Sequence, residues 1–123
     1  MITGVVNDNR EAIIRLVVTS PSGQQQDTEA IIDTGFTGFL TLPPARVAAL
    51  GLSWLSRQSG ILADGSVDVF DVYVASVIWD GQPRTVEVEA ADTEPLVGMN
   101  LLDRHALRID VLRGGIVTIS AFP

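Results

Sequence analysis

The sequence predicts an all-β fold, a closed or partly open barrel of short antiparallel strands with one or two short helices. Segments dense in β-branched residues, such as Ala12-Ile13-Ile14-Arg15-Leu16-Val17-Val18, recur between clusters of turn formers. Two Asp-Gly pairs, Asp64-Gly65 and Asp80-Gly81, each stand between strand-like stretches, where a tight hairpin needs residues that accept positive φ. Thr85-Val86-Glu87-Val88-Glu89-Ala90 alternates apolar and polar, the period of a half-buried strand with Val86 and Val88 inward and Glu87 and Glu89 in solvent. A length of 123 residues gives room for one contiguous core, so positions 1–123 are expected to form a single domain.

In chain order, the strand at 12–18 ends in the turn Ser20-Pro21-Ser22-Gly23. Gln24 to Ile32 is polar at first and apolar by Ala30-Ile31-Ile32, a strand that enters the core only at its far end, where Asp33 sits. Pro43-Pro44-Ala45-Arg46-Val47-Ala48-Ala49-Leu50-Gly51 has proline at a first helical turn and glycine at a C′ position, which predicts a two-turn helix. Residues 56–78 form the first predicted hairpin, and a second turns at Asp80-Gly81. After Pro95 come Leu96-Val97-Gly98, a short helix from Met99 to Arg104, and closing strands at Leu107–Val111 and Gly115–Phe122.

With 15 acidic and 8 basic residues the net charge is −7 and no basic cluster exists, so nucleic acid is an excluded partner. The chain has no cysteine and one histidine, which rules out disulfides and thiolate or His-rich metal sites. Asp8, Asp27 and Glu29 lack the spacing of a calcium loop, so no metal or cofactor is expected. The N-terminal residues lack a secretory signal's charged and apolar regions, and no apolar run approaches the ~20 residues that span a bilayer, so a cytoplasmic protein without membrane contact is expected. Hydrophobic residues make up 46%, high for a monomer of this size, which suggests a partner. His105, near a helix end, and Trp54 and Trp79, near strands, read as structural, core or interface residues; Asp68 and Asp71 are expected in solvent.

The segment Ala30-Ile31-Ile32-Asp33-Thr34-Gly35-Phe36 carries the chemical signal. An apolar strand delivers a lone carboxylate into an apolar neighbourhood, followed by a hydroxyl and by a glycine that permits close backbone approach. Asp, Thr and Gly are also ordinary turn residues. Ile31-Ile32-Asp33-Thr34-Gly35 resembles the signature of retropepsin-like aspartic peptidases, compact bacterial members more than viral ones. The resemblance extends over roughly residues 10–120: Ala63-Asp64-Gly65-Ser66 stands where that family has its flap, and Leu96-Val97-Gly98 leading into Met99-Asn100-Leu101-Leu102 looks like its second motif. Retroviral members usually carry alanine and aspartate after the first motif and an arginine after the second; here Phe36, Thr37 and Met99 stand there. Both partners of that ion pair are missing together, so no buried charge is orphaned, and the Phe36 ring is expected to narrow the groove.

Hydrolysis of a peptide by carboxylates needs one ionised and one protonated group, and two carboxylates about 3 Å apart divide these roles by sharing a proton. The sequence has no second Asp-Thr/Ser-Gly; Asp92-Thr93-Glu94 is nearest and reads as a solvated loop. The resemblance therefore implies an endopeptidase acting on polypeptides as a homodimer, each copy supplying its Asp33. It also implies that Thr34 hydrogen-bonds across the dimer axis, that Gly35 offers its N–H to the carboxylate, and that Asp64 and Gly65 close over substrate. Met1–Val6 and Gly115–Phe122 are the expected interface strands. A catalytically inactive peptide-binding or dimerisation module of the same fold is the alternative, and an unrelated monomeric barrel with Asp33 exposed is a third.

Overall fold

A computed structural model describes residues 1–123. Ten strands make one sheet: β1 (Ile2–Val6), β2 (Ala12–Thr19), β3 (Gln25–Ile32), β4 (Leu40–Leu42), β5 (Ser53–Ile61), β6 (Val67–Trp79), β7 (Gln82–Ala90), β8 (Leu96–Val97), β9 (His105–Ile109) and β10 (Ile116–Ala121). Its order is β5-β6-β7-β4-β8-β3-β2-β1-β10-β9, and a further pairing of β6 with β2 closes the six strands from β6 to β2 into a ring. β5 extends beyond that ring on one side, and β1, β10 and β9 on the other.

The all-β expectation holds, with one correction. Not every neighbour is antiparallel, because β3 pairs β8 and β4 pairs β7 in parallel. Parallel neighbours need long connections, here supplied by everything between the paired strands. The consequence is positional: Ile31 stands beside Leu96 and Ile32 beside Val97, so the chain leaves both strands at the same end of the barrel.

Period-two alternation fills the barrel. Ala12, Ile14, Leu16 and Val18 of β2 and Val86 and Val88 of β7 point inward among 22 clustered buried residues. Helix α1 (Pro44–Leu50) forms where proline and glycine predict it: proline occupies the first turn, Gly51 takes a left-handed φ of 61°, and Val47 and Leu50 are buried. Helix α2 covers only Met99–Leu102 and stops short of the predicted Arg104, which has a φ of 65°. Both Asp-Gly hairpins form. Asp80 and Gly81 both have positive φ, 52° and 81°, as a two-residue turn requires.

Trp79 is buried, and its indole N–H meets His105 Nε2 at 3.1 Å while His105 Nδ1 lies 2.7 Å from the Asp103 carbonyl. An indole can only donate, so Nε2 accepts and Nδ1 carries the proton, a structural role for His105. Trp54 lies outside the core: it is 59% exposed on the outer β5 arm, and its indole N–H donates to Asp71. Asp68 faces solvent, but Asp71 is half-buried, held also by Arg57 Nε at 3.2 Å.

Candidate active site

Strand β3 turns apolar only at its end, with Ala30 and Ile32 buried, and there it delivers a half-buried Asp33. The Asp33 N–H donates to the Val97 carbonyl and the Ile31 N–H to that of Pro95, each at 2.9 Å, so the parallel β3–β8 ladder runs up to the carboxylate. The chain then turns tightly. The Phe36 N–H returns to the Asp33 carbonyl at 3.1 Å, and the Gly35 N–H donates to Asp33 Oδ1 at 2.9 Å. A Cβ on Gly35 would stand 3.2 Å from that oxygen, so glycine leaves the carboxylate uncrowded. Thr34 is exposed beside it.

The residues after β8 clamp this turn. Gly98 donates to the Phe39 carbonyl at 3.0 Å, Met99 to Phe36 at 2.8 Å and Asn100 to Gly38 at 3.1 Å. Such proximity requires glycine at 98, because a Cβ would lie 2.8 Å from the Phe36 carbonyl oxygen and 2.6 Å from the Phe36 ring. Val97 is wholly buried, and the half-buried Leu96 donates its N–H to Thr41 Oγ1 at 2.9 Å. Leu96, Val97 and Gly98 thus position the Asp33 turn rather than meeting it with chemistry of their own. Thr41 and Gly38 belong to the same assembly; a hydroxyl in an apolar Leu40-Thr41-Leu42 run is the sequence signal for the first.

Gly35 to Phe39 form one wall of a groove of about 640 Å³, and Gln58, Gly60, Ile61, Leu62, Phe70 and Val72 of the β5–β6 hairpin form the other. Glu87, Glu89 and Asn100 complete it. Phe36 lines the groove with its ring laid against Gly38 and Gly98. Ala63, Asp64 and Gly65 stand at the exposed hairpin tip and do not line it. At that tip Gly65 has a φ of 85°, and the Ser66 hydroxyl and N–H both donate to Asp64 Oδ1, which holds the Asp64 carboxyl below its usual range. Asp33 itself borders a second hollow of about 570 Å³, lined also by Ile31, Leu96, Ile109 and Val111.

Glu89 is not free in solvent as its alternation suggests. It is half-buried, and desolvation, with the nearby Glu87 charge as a smaller cause, pushes its carboxyl up. No three Asp, Glu or His side chains converge as a metal site would require. No helix is long and apolar enough to cross a membrane.

The structure matches the crystal structure of a retropepsin-like aspartic protease from Rickettsia conorii with a TM-score of 0.60, over 98% of this chain and 91% of that one, at 20% identity. The fold is retropepsin-like. No protein-family model matches the sequence, and no curated protein matches it. Within the retropepsin-like barrel, the Asp33 turn and the Gly98 clamp lie side by side at the groove, with the β5–β6 hairpin opposite.

Proposed function

We propose that the chain is an aspartic endopeptidase that works as a homodimer, with a dyad made of Asp33 from each copy. The observation that carries this reading is the placement of Asp33: a single Asp-Thr-Gly, held by Val97 and Gly35 at the end of a barrel strand, beside a groove large enough for an extended peptide. The retropepsin-like fold supports it. One chain offers only half of the two-carboxylate machinery this motif implies, and exposed Met1, Val5, Ile116 and Phe122 on or beside the terminal strands give a second copy apolar surface to cover.

In the dimer the two carboxyl groups share one proton. The ionised carboxylate takes a proton from water as its oxygen attacks the scissile carbonyl carbon, and the protonated carboxyl gives its proton to the carbonyl oxygen. Collapse of the tetrahedral intermediate breaks the C–N bond, with a proton passing to the amine and the dyad returning to its singly protonated state. Thr34 is assigned to hydrogen bonding across the axis, Gly35 to fixing the carboxylate, and the hairpin carrying Ala63, Asp64 and Gly65 to closing over substrate.

A diverse peptide pool incubated with the chain and with Asp33→Asn, cut sites being read by mass spectrometry, tests the proposal. Cleavage by the wild type and none by the variant is expected. Equal cleavage by both, or a monomer that cleaves, overturns it.

A further inference from the structure

The groove beside the Asp33 turn contains a carboxylate that nothing in the chain neutralises. Val86 and Val88 take the inward positions of β7, so Glu87 and Glu89 share the opposite face, which borders the groove. Glu87 is exposed, whereas Glu89 is half-buried with Oε2 against Gly38, where any Cβ would overlap it. None of the four ion pairs of the protein includes Glu89, and the groove has no Lys or Arg in its lining. Arg84, the cation of β7, falls on the Val86–Val88 face and is engaged elsewhere: its guanidinium lies 5.8 Å from the centre of the Phe39 ring and donates to the Leu101 carbonyl at 3.0 Å.

A carboxylate that has lost part of its water without gaining a partner is short of a donor, and whatever fills the groove must supply one. A metal ion would find too few ligands there. The Phe36 and Phe70 rings that line the groove suit the flat, weakly hydrated face of a guanidinium.

We infer that Glu89 anchors a subsite for a basic side chain, arginine in preference to lysine, of a peptide lying in this groove beside the Asp33 turn. The inference rests on the peptidase reading for the identity of the occupant as a peptide substrate, and it makes that substrate a basic one. Acidic peptides are disfavoured by the same carboxylate and by the net charge of −7.

Binding can be measured apart from cleavage. Labelled apolar peptides carrying arginine, or its neutral isostere citrulline, at each position in turn are titrated by fluorescence anisotropy into the Asp33→Asn chain. At one position the arginine peptide should bind about tenfold more tightly than the citrulline peptide. Adding Glu89→Gln should bring the ratio to about one, while Glu29→Gln, an exposed residue paired with Arg15, should leave it unchanged. Equal binding of the two peptides at every position, a ratio that survives Glu89→Gln, or no peptide binding at all overturns the inference. Cleavage by the wild type judges the peptidase reading separately: a Glu89-dependent preference in a chain that never cuts keeps the subsite and rejects the enzyme, and cutting without basic preference does the reverse.

Discussion

The end of β3 and the outer half of the β5–β6 hairpin are both strand-and-turn structures with an aspartate at the turn, yet they are held in opposite ways. Asp33 sits on a ladder to β8, its turn is gripped by the Gly98–Asn100 segment, and Val97 beside it has 0% exposure. At the hairpin's outer end β5 and β6 pair only with each other, and Ile61 and Val67 are 80% and 64% exposed. The first region draws its rigidity from tertiary packing, the second only from its own turn and ladder. A site needing a fixed carboxylate and a movable cover would divide its labour this way.

The largest expected effect falls at the clamped end: Asp33→Asn should fold, dimerise and lose at least about a thousandfold in cleavage rate. Refolding wild type with rising fractions of this variant sharpens the point, since a shared dyad loses activity as the square of the wild-type fraction. A linear loss with subunit exchange verified would falsify the shared site.

Two glycine substitutions test the contrast in packing. Gly98→Ala forces a methyl into the Gly38 carbonyl oxygen and the Phe36 ring and should cost about 3 kcal/mol in urea unfolding. Gly65→Ala meets no atom and strains only its φ of 85°, costing about 1 kcal/mol. Similar losses would erase the distinction between the regions. Hydrogen exchange reads it directly: amides at Leu62–Ser66 should be among the fastest, and those of Ile31, Asp33 and Gly98 among the slowest.

Smaller effects come from two carboxylates. The Glu89 carboxyl titrates above its ordinary 4.5 because burial disfavours its charge, so the stability it contributes is present while protonated and lost as pH rises through the raised value. Glu89→Gln should therefore stabilise the fold slightly at neutral pH, read as a higher urea midpoint, and the gain should vanish at a pH below the raised value. Asp71 is the reverse case. Trp54 and then Arg57 lower its carboxyl below 3.8, so its clasp on the hairpin base holds above that pH and is lost as pH falls through the lowered value. The Trp54 indole N–H resonance should stay fixed down to about pH 4 and shift only below it.

Features that depend on adjacent residues are legible in the sequence. Asp80-Gly81 accepts positive φ through its own backbone, Pro44 and Gly51 bracket a helix by local geometry, and the rise from Gln25 to Ile32 shows where Asp33 enters the barrel. The parallel β3–β8 and β4–β7 pairs are not legible there, because they depend on residues far apart in the chain. Trp54 and Trp79 look alike in sequence, and only the position of the barrel wall puts one outside and one inside. Glu89 reads as an ordinary outward strand residue, since alternation specifies a face but not whether that face borders water or a groove.

The parallel pairing of β3 with β8 also governs when the Asp33 turn can exist. Its two halves come from opposite parts of the chain, and closing so long a loop repays its entropy only once the intervening barrel strands are in place. During synthesis the Asp33 segment emerges before Val97, Gly98 and Asn100, and its turn has no clamp until they follow. A nascent chain therefore carries its aspartate unassembled until the β8 segment and the strands before it have been made.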